Sequence, residues 1–376
     1  ISLRSRVIKP DGSPLPSARV LLIDIHGEYG PALSDVAKTF SILPSGENQL
    51  YIPFWCISPD KLIEFLCNNP NDSQRSLFMD KTVDEKRLGI TWNNIKNIDQ
   101  EKITSNTPLP YRLKKLWYDL CHEDSINYTD NTMTTPAYAP NGEGSFDDLI
   151  APKFLPPGAG TAPPKKGGTG AMKRQLDLMK SRLLDTQYSF LLEPGDWNPD
   201  KDGKIKKDLD GLLEEWLGHD KPITIFDLSG MPSARLTLLL GAVLDIIFES
   251  AIWGRNVAEG MRERPLLIVL EEAHRYLGKS ESGHSKEMVQ RIAKEGRKFG
   301  VGAMIVSQRP SEIDETILSQ CGTIISLRIN NSTDRGIVKA AMSDGLAGIV
   351  DSLPILRTGE AIIVGEAAHL HSSFTL

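Results

Sequence analysis

The chain has 376 residues, 40% of them hydrophobic and 24% charged, which is the balance of a globular protein and excludes collagen-like, disordered and membrane-spanning classes. Its 43 Lys and Arg stand against 49 Asp and Glu, a net charge of −6, so any nucleic-acid contact must come from a local basic cluster. The length allows two or three domains, or one elaborated domain.

The chain opens at Ile1 with no charged segment ahead of an apolar one, which reads as a trimmed start and not a secretion signal. The first strand signal is RVLLID at residues 19–24, an apolar, β-branched run of the kind buried on both faces of a parallel sheet. It ends in Asp24-Ile25-His26-Gly27-Glu28-Tyr29. Strand signals then stop. Residues 61–218 read as an insertion, mostly helical or irregular, and residues 141–173 within it are rich in Gly, Pro and Lys, the composition of an exposed loop. The four cysteines, Cys56, Cys67, Cys121 and Cys321, show no CxxC spacing, which favours a reducing compartment over a zinc site or a disulfide framework.

Strand signals return at residues 223–228, 266–270 and 303–307, followed by 323–327 and 361–364. Helical periodicity separates them at 236–253 and 286–299. The run 236–247 is the most apolar, but it is short for a membrane span and carries Asp245. Strand and helix in alternation predict a parallel sheet with helices on both faces, and hence a ligand site at the carboxyl ends of the strands. The division expected is a core in residues 1–60 and 219–376 around the insertion.

The strand at 266–270 ends in Glu271-Glu272, an acidic pair of Walker B type. In that arrangement the first carboxylate holds Mg²⁺ and the second polarises a water that attacks a γ-phosphate. Ser307-Gln308, after the next strand, suits a sensor of that phosphate. The basic turn from Arg291 to Lys298 offers an arginine finger, Arg297 ahead of Arg291, for a neighbouring subunit's nucleotide. No GxxxxGK[ST] loop occurs. The relaxed match from Ala273 to Ser280 is a decoy, because His274, Arg275, Tyr276 and Leu277 are too bulky for a phosphate cradle and overlap the acidic pair. Gly167 to Gly170 lacks the Lys-Ser ending and a preceding strand. His26 and His274 do not make a metal ligand set and read as turn histidines.

Four segments in order, VLLIDIHGEYG, TIFDLSGMP, LLIVLEEAH and RIAKEGRKFGVGAMIVSQRPSEIDETILSQCGTIISLRI, resemble the HerA-like ATPases of the FtsK–HerA superfamily. The resemblance implies an α/β, RecA-like P-loop NTPase core with a mostly parallel sheet, carrying the long insertion. It implies an ATP- and Mg²⁺-dependent DNA translocase or helicase that forms a ring, expected to be hexameric, and hydrolyses ATP between subunits. On it, Glu271 takes the metal position, Glu272 the catalytic base, Gln308 the sensor and Arg297 the trans arginine. Asp24, His26 and Glu28 lie beside the nucleotide. The family's β-barrel domain and phosphate loop precede the first matching segment, so the chain is expected to lack them. DNA contacts are expected at Lys279 and Lys286 after the acidic pair, or at Lys165 and Lys166 in the glycine-rich stretch. The family also implies a partner, a nuclease or a sirtuin-like effector, in anti-phage defence or DNA end processing, and a cytoplasmic protein with no membrane role. The competing expectation is a catalytically reduced scaffold that organises a partner. A dinucleotide-dependent enzyme ranks last, since no GxGxxG follows a strand.

Overall fold

The computed structural model describes residues 6–8, 14–43, 46–96, 98–130, 132–156, 171–257, 260–279, 283–340, 350–366 and 372–375. The chain forms two compact units, residues 1–49 with 215–376, and residues 50–214.

The first unit starts with a short antiparallel pair, β1 (Arg6–Ile8) and β2 (Pro14–Pro16), leading into β3 (Arg19–Asp24). A one-turn helix α1 (Tyr29–Ala32) and strand β4 (Ala37–Ser41) follow. β4 carries Lys38 and Thr39 among its five residues and gives no continuous apolar signal, which is why the sequence alone did not show it as a strand.

The second unit holds α2 (Pro59–Cys67), α3 (Asp72–Trp92), α4 (Leu113–Ser125), α5 (Lys173–Leu184), α6 (Ser189–Leu192) and most of α7 (Leu209–Leu217). It has its own core, with Trp55, Leu62, Leu66, Phe78, Leu116 and Met179 almost wholly buried. Several polar groups inside it are paired, as burial favours. The indoles of Trp55 and Trp117 donate to the carbonyls of Trp197 at 2.9 Å and Leu176 at 3.0 Å. Asn71 and Gln74 close a reciprocal capping box at the start of α3. Arg112 grips both oxygens of buried Glu85 and stacks 4.1 Å over Trp92. Lys86 is 1% exposed and donates to the carbonyls of Ser105 and Thr107.

The chain returns to the first unit with β5 (Ile223–Asp227), α8 (Ser233–Trp253), β6 (Leu266–Leu270), α9 (His284–Phe299) and β7 (Val301–Ile305). Five strands form one parallel sheet in the order β4-β5-β3-β6-β7. β3 sits at the centre, where Leu21 and Ile23 have no exposure. The register sets Asp24 opposite Asp227, and Leu270 between Ile23 and Ile305. The residues that follow β3, β5, β6 and β7 therefore emerge along one edge.

α8 and α9 pack together against one face. Leu240, Val243, Ile247 and Phe248 of α8 are fully buried, as are Val289 and nearly Ile292 of α9. By length and apolarity α8 could cross a membrane, yet these residues form the core of this unit. Gly300 ends α9 in a left-handed conformation (φ +75°), and a Cβ there would lie 1.8 Å from the carbonyl oxygen of Met261. Glycine alone fits.

The opposite face is covered unevenly, a correction to the expectation of helices on both sides. Tyr29, Leu33 and Val36 pack over Leu22, Ala37 and Ile225. Further across, Leu267 of β6 and Met304 of β7 stay 38% and 42% exposed, and among the described residues β7 pairs only with β6.

A second correction concerns the last strands. After β7 come α10 (Glu315–Ser319), β8 (Thr323–Ser326), α11 (Ser332–Ala340), β9 (Glu360–Gly365) and β10 (Ser372–Thr375). β8, β9 and β10 make a separate antiparallel sheet and do not extend the parallel one. An apolar run signals a strand but not its partner. Here Gly322 and Gly365 approach so closely that a Cβ on Gly365 would lie 2.1 Å from the Gly322 carbonyl oxygen, and this contact sets β8 against β9.

Candidate functional site

The carboxyl edge of the sheet gathers acidic residues from three strands. Asp24, fully buried at the tip of β3, folds the loop that follows it. Its Oδ1 accepts the backbone N–H groups of His26 at 3.1 Å and Gly27 at 2.8 Å, and its Oδ2 accepts that of Tyr29 at 2.9 Å. Asp227 does the same on β5, accepting from Ser229 N and from Ser41 Oγ. Both carboxylates are thus occupied in shaping turns, and Asp24 leaves no side-chain surface for a ligand. His26 and Glu28 are exposed on the same loop.

Glu271 follows β6. Its Oε2 is buried with no hydrogen-bond partner among the described residues. Burial, joined by the nearby charges of Asp24 and Glu272, pushes its carboxyl above the ordinary range, while His26 and the Ile25 amide pull the other way. An orphaned, desolvated carboxylate oxygen beside two other carboxylates fits a bound cation. The described residues contain no cluster of three metal-binding side chains, so a cation here would take its remaining ligands from water and substrate. Tyr29, absent from the expected site, also faces this group. Its phenol is raised by burial first, then by Glu271, Asp24, Glu28 and Glu272.

Glu272 has a left-handed backbone (φ +46°, ψ +43°) and is 8% exposed. A non-glycine residue held there stores roughly 1 kcal/mol or more, a feature that clusters at functional sites. Its two oxygens are separately engaged. Oε1 accepts from Gln308 Nε2 at 2.5 Å, and Oε2 lies 3.1 Å from His274 Nδ1. The His274 ring also meets Ser307 Oγ at 3.2 Å, and that hydroxyl accepts the Arg309 backbone N–H at 3.0 Å. Glu271, Glu272, His274, Ser307 and Gln308 therefore form one constellation from two neighbouring strand ends.

The other candidates lie apart from it. Arg297 is exposed on the last turn of α9 and makes no ion pair among the described residues. α9 has 16 residues, about 24 Å, and runs from the carboxyl to the amino edge of the sheet, so Arg297 sits far from its own chain's Glu272. Arg291 is tied to Glu249 at 2.7 Å and stacks on Phe248. Lys286 is largely buried in an ion pair with Asp314 at 2.7 Å, and Lys279 pairs with Glu315 at 2.8 Å on the surface. Lys165 and Lys166 lie outside the described residues, as do Gly167 to Gly170. The decoy loop is closed by its own hydrogen bonds. The amides of Arg275, Tyr276, Leu277 and Lys279 donate to carbonyls of Glu272, Ala273 and Glu312, so none of these is free to hold a phosphate.

The family model described as "Helicase HerA, central domain" matches residues 5–247. A probable helicase of Methanocaldococcus jannaschii is 34% identical over 177 residues, covering 46% of this chain and 34% of its own length. The DNA double-strand break repair helicase HerA of Pyrococcus furiosus is 32% identical over 173 residues, covering 39% of this chain and 31% of its own. The chain spans about a third of the length of these curated relatives. Among solved structures, VirB4 of Thermoanaerobacter pseudethanolicus superposes with a TM-score of 0.55 at 14% identity, over 94% of this chain and 81% of VirB4. That likeness extends to the fold, a RecA-like P-loop NTPase core.

Proposed function

The chain belongs to the helicase HerA central-domain family, and from that premise we propose that it is the core of an ATP-driven DNA translocase or helicase working as a ring, with six subunits as the expected number. The observation that carries this reading is Glu272. It sits on a left-handed backbone at the sheet edge, held by Gln308, next to the orphaned oxygen of Glu271. A scaffold has no need of Glu271, Glu272 and Gln308 gathered at one sheet edge.

In the proposed reaction a water attacks the γ-phosphorus in line. The bond to the ADP oxygen breaks, and Glu272 orients the water and receives its proton. Gln308 gives up its bond to Glu272 in favour of a γ-phosphate oxygen. Mg²⁺, held on the Glu271 side, would neutralise charge developing on the phosphates. Arg297 of a neighbouring subunit would stabilise the same charge. The described residues contain no phosphate loop of the kind this chemistry requires. The open edge of β7, with the exposed side chains of Leu267 and Met304, suits an added strand and helix that would carry it.

DNA would be held through its phosphates, with weak sequence preference and strong salt dependence. Lys279 suits this better than Lys286, whose charge is spent on Asp314. A nuclease or other effector partner, in DNA end processing or anti-phage defence, belongs to the same reading. The four free cysteines fit a reducing compartment such as the cytoplasm.

The test is Glu272→Gln in the intact protein. Nucleotide binding should persist while DNA-stimulated ATP hydrolysis falls by about 10²–10⁴-fold. Unchanged turnover would remove Glu272 from the reaction and the reading with it.

A further inference from the structure

We infer that His274 is the positioning residue that holds the Glu272 carboxylate in place for catalysis, with Ser307 fixing the orientation of the His274 ring. The inference rests on the hydrolysis reading above. His274 Nδ1 lies 3.1 Å from Glu272 Oε2 and 3.2 Å from Ser307 Oγ. An ionised carboxylate only accepts, so Nδ1 must carry a proton to bind it. The His274 and Glu272 side chains are 14% and 10% exposed, so their contact is shielded from bulk water.

The two donors on Glu272 differ in a way that matters. Gln308 comes from the neighbouring strand's end, is exposed, and holds Oε1. It is free to turn toward a phosphate. His274 lies on the same turn as Glu272, is largely buried, and holds Oε2. It stays when Gln308 leaves. One oxygen is thereby released for water while the other remains anchored, which keeps the carboxylate aimed although the backbone beneath it is strained. Ser307 directly precedes Gln308 and shares the His274 proton donor, so the sensor strand is joined to the base on both of its oxygens.

The experiment compares His274→Ala, His274→Asn and His274→Gln with Glu272→Gln in the intact protein. The readouts are steady-state ATP hydrolysis, binding of a fluorescent ATP analogue, and Tm. An asparagine amide nitrogen can occupy the place of Nδ1, and a glutamine amide nitrogen that of Nε2. His274→Ala should lower kcat about 10–100-fold with KM and analogue binding within about twofold. His274→Asn should recover most of that loss, and His274→Gln should not. Full activity of His274→Ala beside an inactive Glu272→Gln would overturn the positioning role and leave the hydrolysis reading standing. Equal losses in all three His274 variants that track a falling Tm would also overturn it, as the mark of a purely structural residue. Turnover surviving in Glu272→Gln would instead defeat the hydrolysis reading.

Discussion

Gln308 Nε2 and Glu272 Oε1, 36 residues apart in the chain, meet at 2.5 Å where β7 and β6 end side by side. The contact joins the two residues that the hydrolysis reading assigns as sensor and base. It also implies that the base is restrained until Gln308 finds another acceptor.

Gln308→Ala should therefore cost about 10²-fold in kcat, the usual loss for one polar group aligned on a reacting centre, while nucleotide still binds. Gln308→Glu should do worse, because it sets a second carboxylate against Glu272. Steady-state ATPase rates beside analogue binding check both. A Gln308→Ala protein as active as its parent would show that the contact plays no part in turnover.

Arg297 should act only between chains, since a helix length separates it from its own Glu272. Arg297→Ala should lose about 10³-fold or more. Mixing it with Glu272→Gln should restore activity, because some interfaces then pair an intact Glu272 with a neighbour's intact Arg297. A mixture as inactive as its components would count against a trans arginine at this position.

Asp24 should matter for stability before chemistry. It accepts three backbone N–H groups and has no exposure. Asp24→Ala takes the acceptor from all three part-buried donors, at a cost of about 1–3 kcal/mol. Urea unfolding measures it, and a cost under about 1 kcal/mol would mean that the loop is held by other contacts.

Lys86 should give the second unit a distinctive pH response. Burial pulls its ammonium from 10.5 down to about 7. Between those values the unfolded chain binds the proton and the folded one does not. Stability therefore rises with pH from about 7 to about 10.5, and the penalty is largest below about 7. Lys86→Met should flatten that rise when urea midpoints at pH 7 and pH 9.5 are compared. Parallel slopes in parent and variant would place the proton elsewhere.

Much of this protein was legible in the chain itself. Buried parallel strands are apolar at nearly every position, so β3, β5 and β6 announced themselves, and with them the edge bearing Asp24, Glu271 and Glu272. The bulk of the residues after Glu272 was enough to reject the phosphate-loop decoy, and the closed amides of that loop bear this out. β4 was hidden because Lys38, Thr39 and Ser41 interrupt its five residues, so no continuous apolar run marks it. The pairing of β8 with β9 was hidden because an apolar run carries no record of its partner.

Residue types and their order along the chain determined which chemistry could gather at the sheet edge, because strand composition sets burial and the parallel sheet sets the edge. What each side chain does there was decided only by the tertiary structure. Asp24 is consumed by its own loop, Arg291 by Glu249 and Lys286 by Asp314, while Arg297 is left exposed and Glu271 keeps a bare oxygen. A charged group's availability depends on which partners lie within about 3 Å of it in space, and sequence spacing does not encode those distances.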